Sequence, residues 1–321
     1  MVTTPLRDGT TGPQSGPRMT VSAPSASTRR RLAVLEPYLY SAPALLLITV
    51  TTLVPIVIGI SYAFRSVMLL DPTSGGFVGL DNFRDLMNDA SFWNALRNTV
   101  TWTASCVAFQ FVFGLILALM LNRPFPGRSI IQPIVFLPWA IPTFLIGMNW
   151  SWLLNPAIGP LPHWAYALGL MSTPGNILSD PDYALLGPVI AGIWWGMPFF
   201  AITLLAALQS IPREIYEAAE IDGASSFERF RSITLPFLAP TMVVTVMLRT
   251  IWVANSPELI VVMTKGGPAD ASQIVASYVF TQAYQGLNFG YASAIATALV
   301  VLLLIYALLL LSIRQMMLRA R

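Results

Sequence analysis

Six long apolar stretches, separated by polar segments, set the rhythm of the chain. They cover 38–64, 98–121, 130–153, 184–208, 237–263 and 289–313. A helix that crosses a bilayer needs about 20 mostly apolar residues, and each stretch meets that length. The first is too long for the apolar core of a cleavable signal peptide and reads as a span. Pro43 and Pro55 predict kinks within it. Pro133, Pro138 and Pro142 predict a broken helix in the third, which hydrocarbon tolerates only where protein or a cavity surrounds the break. The pattern therefore predicts an all-α integral membrane protein with six transmembrane helices, its membrane domain occupying 36–315.

The polar segments give the orientation. Residues 1–28 are rich in Ser, Thr, Pro and Gly, and Arg29-Arg30-Arg31 follow. With no hydrophobic periodicity, 1–35 read as a disordered tail. Segments 66–96, 154–183 and 264–287 read as loops on one side, the first with an amphipathic helix near 82–88. The tail, the short loop 122–128, the central loop 210–236 and the C-terminal 316–321 lie on the other, and together with Arg314 they carry 13 of the 18 Lys and Arg residues. The excess of positive charge on these loops places both termini and the central loop in the cytoplasm.

Composition agrees and removes several function classes. Of 321 residues, 55% are hydrophobic and 10% charged, against about 25% charged in a soluble domain. Mean hydropathy is +0.66, and the pI is about 9.2. The net charge of +3 belongs to the cytoplasmic loops and does not point to nucleic acid. Cys106 is the single cysteine, so no intramolecular disulfide forms. His163 is the single histidine, and one His with one Cys cannot build a common metal site. No Gly-x-x-x-x-Gly-Lys-Ser/Thr phosphate loop occurs, so the chain is not an ATPase by that route.

The central loop carries the strongest local signals. Pro212 suits a helix start, and 213–221 are mostly good helix formers. Gly223 suits the left-handed residue that ends a helix. Ser225 and Glu228 form the sequence pattern of a capping box, and Pro236 is expected to stop the second helix. The prediction is two short helices joined by a tight turn. Ala218 and Ala219 leave a small-residue face, Ile215, Phe227, Phe230 and Ile233 supply apolar contacts, and five carboxylates (Glu214, Glu217, Glu220, Asp222, Glu228) with Arg213, Arg229 and Arg231 supply charge. The piece is built to plug into a partner.

The run Glu217-Ala218-Ala219, Gly223, then Ile233-x-Leu235-Pro236 resembles the EAA signature of permease subunits of bacterial ABC importers. Thr264-Lys265-Gly266-Gly267-Pro268 is similar to the Leu-Thr-x-Gly-Gly-Pro that ends the fifth conserved span of maltose-type carbohydrate importers, and Phe289-Gly290-Tyr291-Ala292-Ser293-Ala294 to the start of their last span. The resemblance covers roughly 35–315. It implies that the loop docks into a cleft of a separate ATPase subunit, with Glu217, Ala218, Ala219, Asp222, Gly223, Phe227, Arg229 and Pro236 at the coupling surface. It also implies the partners: a second permease in a heterodimer, two ATPases holding ATP and Mg, an extracytoplasmic substrate-binding protein and the lipid bilayer. No cofactor is expected on this chain, which is expected to be a transport subunit and not an enzyme. Sugar contacts carried over from the maltose relatives fall on Gly192, Trp195, Gly196 and Phe199 of the fourth span and on Trp252, Val253, Asn255 and Ser256 of the fifth. The sequence departs from the family where Ser256-Pro257-Glu258 replaces an Asn-Asp/Glu-aromatic pattern, and Arg249 is unusual there.

Arg249 and Glu258 are candidates on physical grounds as well, because a charge in hydrocarbon is costly and marks function by default. Nine residues of helix separate them by about 13 Å, so a direct pair needs a break, which Pro257 could supply. Two readings stay open: a water-filled path where they bind substrate hydroxyls or an anion, and a pairing with another helix or subunit. The solute reads as a di- or oligosaccharide, with a polyol or glycerophosphodiester as the alternative. An ion-coupled secondary carrier is a rival from another class, but it leaves the central hairpin without a role. A membrane-embedded enzyme with a hidden carboxylate pair is the third.

Overall fold

The computed structural model describes residues 37–38, 40–170 and 175–319, so the tail read over 1–35 lies outside the described residues. The chain divides into two compact units, Met1–Val57 and Ile58–Arg321. The first apolar stretch forms helix α1, Tyr40–Tyr62. A π turn at Thr49–Leu53 lies just before Pro55. Proline has no N–H for the carbonyl four residues back, and its ring crowds that carbonyl. The wider π turn contains that carbonyl, on Thr51, and makes room for the ring.

The second unit holds α2 (Asp81–Asn88), α3 (Ala90–Asn122), α4 (Arg128–Ala140), α5 (Thr143–Leu153) and α6 (Pro160–Ala167). It continues with α7 (Leu186–Gln209), α8 (Arg213–Ile221), α9 (Ser226–Arg229), α10 (Leu235–Ala254), α11 (Glu258–Met263), α12 (Val275–Tyr284) and α13 (Phe289–Arg319). Among the described residues, five helices are long and apolar enough to cross a membrane, and α4 with α5 makes six if that pair, bent by 95°, is one broken span. The break falls at Pro142, while Pro133 and Pro138 sit inside α4. The indole Nε1 of Trp195 donates to the Ile141 carbonyl at the break (3.2 Å) and satisfies a group that the kink frees.

Between membrane helices, association rests on close packing, and small residues permit it. Helices α3 and α7 meet at Gly114, where a Cβ would collide with Cβ of Phe200 and lie 2.9 Å from the Met197 carbonyl. On α7, a Cβ on Gly192 would lie 3.0 Å from the Trp102 ring and 3.1 Å from Cys106 Sγ. The main core gathers around these contacts, with Trp102, Cys106, Phe200, Leu204, Val253 and Leu259 among its buried members. Tyr306 of α13 donates to Thr250 of α10 at 2.9 Å.

The structure departs from the sequence reading at four places. Helix α3 begins at Ala90, two turns before 98, because Asp89 caps it and accepts from the Ser91 N–H at 2.9 Å. The loop read over 264–287 contains α12, and that read over 154–183 contains α6. Pro236 does not stop the helix: a π turn at Phe230–Thr234 precedes it, and α9 runs through into α10. The physical reason is the one seen at Pro55, with Ser232 now carrying the crowded carbonyl.

The early start of α3 has a purpose. Asp89 Oδ2 accepts from the hydroxyls of Tyr278 on α12 and Tyr291 on α13, both at 2.6 Å. Asn98 donates to the carbonyls of Ala271 and Gln273, and Thr99 Oγ1 accepts from the Val275 N–H. The polar start of α3 thus pins the segment that leads into α12. Partial burial opposes ionisation of Asp89. The two tyrosine hydroxyls and the N–H groups of Ser91 and Phe92 outweigh it, so the carboxyl is held below the usual range.

A carboxyl with a depressed folded pKa adds stability above the ordinary carboxylate pKa, and that stability is lost as pH falls through the folded value. Asp89→Asn should therefore lower the thermal midpoint of the purified protein at pH 7, with a cost of about 1–2 kcal/mol for charged hydrogen bonds partly open to solvent. The gap between variant and wild type should close below about pH 4. Thermal melts across that range, with an equal gap at both ends, would contradict the assignment.

Candidate functional site

Arg249 is fully buried, at 0% relative exposure, in the upper half of α10. Its Nε donates to Gln110 Oε1 on α3 at 2.7 Å, and Gln110 Nε2 donates in turn to the Gly192 carbonyl on α7 at 2.9 Å. Three helices are joined through one side chain. Three rings surround the guanidinium carbon: Trp195 at 4.9 Å, Trp252 at 5.2 Å and Phe199 at 5.5 Å from their centroids. All lie within the range of a cation–π attraction. Trp139 extends the aromatic set, 6.1 Å from Phe199 and 6.5 Å from Trp252.

Of the four positions carried over on the fourth span, Trp195 and Phe199 contribute walls, and the two glycines contribute space. A Cβ on Gly196 would run into Arg249 Nη2 and the Gln110 amide, so only glycine admits the pair. Gly192 supplies its carbonyl to Gln110 and room for Trp102. On the fifth span, Trp252 is 45% exposed and forms the outer wall of the cage. Val253 is buried, and its carbonyl accepts from Trp102 Nε1 at 3.1 Å. Asn255 is exposed and donates to the Ile251 carbonyl at 3.0 Å. Ser256 lines the cavity beside Arg249, together with Thr143, Glu258 and Leu259. That cavity measures about 10 Å³, room for about one water, so the cage is closed.

The chain does break between Arg249 and Glu258, where α10 ends at Ala254 and α11 begins at Glu258. Glu258 is exposed and makes no ion pair with Arg249: the described residues hold two salt bridges, Arg84–Asp81 and Arg229–Glu220. The polar partner is Gln110, which sequence reasoning passed over. An amide in the middle of an apolar span was the available signal, since polar groups at membrane depth seek partners.

The second site is the hairpin over 210–236. Helix α8 ends with Gly223 in the left-handed region (φ +79°). The N–H of Ala224 bonds the Ala219 carbonyl, and the N–H of Gly223 bonds that of Glu220, which is the full Schellman pattern. Ser225 then caps α9, with Glu228 reaching back to its N–H at 2.7 Å. Arg229 bridges to Glu220 at 3.1 Å and ties the two helices, and the hydroxyls of Tyr216 and Thr234 meet at 2.9 Å. Glu217, Ala218 and Asp222 are exposed, while Ala219 and Pro236 are half-buried. Ile221 is 87% exposed and Phe227 70%, two large apolar side chains held out by a rigid turn. A cleft of about 470 Å³ opens between the helices, lined by Ala219, Asp222, Gly223, Ala224, Glu228 and Arg229 among others.

A helical membrane core that carries such a hairpin is the build of an importer permease. Residues 110–320 match the family of the binding-protein-dependent transport system inner membrane component, and the chain belongs to that family. It is 39% identical over 232 residues to the trehalose/maltose transport system permease protein MalF of Thermococcus litoralis, covering 72% of this chain and 78% of that protein. It is 33% identical over 271 residues to the sulfoquinovosyl glycerol transport system permease protein SmoG of Agrobacterium fabrum, covering 84% and 86%. Among solved structures, a bacterial alginate ABC transporter in complex with an alginate pentasaccharide-bound periplasmic protein contains a chain that superposes with a TM-score of 0.75 at 25% identity, covering 88% of this chain and 94% of that one. The protein is thus an ABC importer permease with an all-helical membrane fold.

Gly196→Ala tests the geometry of the cage. The new methyl group must push Arg249 and Gln110 apart in a closed cavity, and overpacking of this kind costs about 1–3 kcal/mol. The purified variant should melt several degrees lower than wild type. Gly223→Ala, in open space, should show only the smaller cost of a left-handed alanine. Equal midpoints for Gly196→Ala and wild type would mean that the site is looser than described.

Proposed function

We propose that this chain forms half of the translocation pathway of an ATP-driven importer for a sugar, most simply a di- or oligosaccharide. An extracytoplasmic binding protein delivers the solute to the segments that contain α6 and α12. A second permease completes the pathway, and two ATPase subunits, holding ATP and Mg, dock on the 210–236 hairpins from the cytoplasm. Both termini share that side of the inner membrane.

The observation that carries the reading is the hairpin. A Schellman end, a capping box and the Arg229–Glu220 bridge make it rigid, yet it holds Ile221 and Phe227 in the open. Exposed apolar side chains on a rigid, charged knob mark a docking surface. Its link to the membrane is direct, because α9 runs into α10 and α10 holds Arg249. The relatives support a saccharide: one is named for trehalose and maltose, another for sulfoquinovosyl glycerol. The aromatic walls at Trp195, Phe199 and Trp252 suit the apolar faces of sugar rings, and apolar walls with few polar groups are the usual form of a small-molecule site.

The test is to purify the chain with its genomic neighbours and measure ATP hydrolysis in nanodiscs with sugar-loaded binding proteins. A loaded binding protein should stimulate hydrolysis. Gly223→Trp and Glu217→Lys should reduce that stimulation by about tenfold or more, the scale of losing a docked charge or turn, with membrane insertion intact. Normal stimulation in both variants would remove the coupling role from the hairpin. Uptake that survives ATP depletion but fails with an uncoupler would establish a secondary carrier instead.

A further inference from the structure

The cage around Arg249 is incomplete in one specific respect. A guanidinium carries five N–H donors and no acceptor. Gln110 takes the single Nε–H. Nη1 and Nη2 are buried, and neither has a hydrogen-bond partner among the described residues. Four donors, arranged as a planar fork, therefore face the cavity side of a membrane protein unanswered.

The three rings attract the charge but offer no lone pair in the plane of the fork. Glu258 lines the same cavity and could have been the counter-ion, but it is exposed and forms no ion pair among the described residues. A buried charge with unsatisfied donors costs more than almost any other polar defect, unless something supplies the missing acceptor. The wall that separates the fork from the exposed face is Trp252, itself 45% exposed. Movement of that indole would open the fork to a solute while Trp195 and Phe199 stay in place.

We infer that Arg249 is the receptor for an anionic group on the transported solute, a carboxylate, sulfonate or phosphodiester carried on a hydroxylated body. Such groups match the fork with two parallel charge-assisted hydrogen bonds. A neutral hydroxyl fills part of the fork but leaves the buried charge uncompensated. Gly196 is the positioning residue, because no other side chain leaves room for the fork beside Gln110. The inference rests on the importer reading and narrows its solute to acidic saccharides and glycerophosphodiesters.

The experiment uses the purified importer in nanodiscs and follows tryptophan fluorescence, since Trp195 and Trp252 flank the fork. Three probes are titrated: a glucuronate-containing disaccharide, glycerophosphocholine and a neutral disaccharide. At least one anionic probe should bind about tenfold or more tighter than the neutral one, the discrimination a bidentate charged contact provides, and the tighter of the two identifies the source of the anion. Gln110→Glu is close to isosteric and supplies a built-in carboxylate. It gives up the Nε2–H bond to the Gly192 carbonyl, so its fold is checked by thermal melting beside Arg249→Gln, and it should lose the preference for anions. Arg249→Lys keeps the charge and should retain part of the preference, while Arg249→Gln should lose it. A merely structural role for Arg249 would weaken all three probes alike and keep their ratio. Equal or tighter binding of the neutral disaccharide by wild type, or an unchanged ratio in Gln110→Glu, would overturn the inference. Neither result touches the importer reading, which fails separately if no ATPase co-purifies.

Discussion

One positive charge is held inside the membrane core, and much of the architecture answers to it. Arg249 costs free energy wherever hydrocarbon surrounds it. The chain meets part of that cost with an amide from α3, a missing side chain on α7 and three aromatic faces. Each of these requires the others. Gln110 reaches Arg249 only because Gly196 has no Cβ. Trp195 is held in place by its bond to the carbonyl at the break between α4 and α5. Gly192 both accepts from Gln110 and admits Trp102, which in turn binds the Val253 carbonyl one turn beyond Arg249. The broken third span and the small-residue face of the fourth thus serve the same end.

The polar ends of the helices follow a similar logic on a cheaper scale. Asp89 and Asn98 extend α3 past its apolar stretch and fasten α12 and α13 to it. The hairpin is closed by local hydrogen bonds and the Arg229–Glu220 bridge, with Ile221 and Phe227 left in the open. One end is knitted into the core, and the other is rigid but uncommitted. That contrast fits the proposed docking of the knob on another chain.

Much of this was legible in the residues. Length and hydropathy located the spans, and Gly223 with Ser225 and Glu228 gave the turn and the capping box, because such signals are local in sequence. The broken third span followed from its prolines. What stayed hidden depended on distant partners. The Arg249–Gln110 bond joins residues 139 positions apart, and nothing local to either names the other. Helix α12 was read as loop because its polar flanks are satisfied by Asn98 and Thr99, far away in the chain. Pro236 misled for a subtler reason. A proline ends a helix only if the preceding turn stays α-helical, and the π turn at Phe230–Thr234 removes that condition.

That same π turn has a mechanical consequence. It lets the helix run from the knob to the cage unbroken, with Pro240 inside it. At about 1.5 Å per residue, Phe227 and Arg249 stand about 33 Å apart along it. An unbroken helix carries a tilt imposed at one end toward the other. A rotation of about 5° about the midpoint shifts each end by about 1.5 Å. The Phe199 ring lies 5.5 Å from the guanidinium carbon, so a shift of about 0.5 Å away from it reaches the roughly 6 Å over which a ring holds a cation. The aromatic enclosure is therefore closed with little margin, and a shift of that size directed away from the ring would open it.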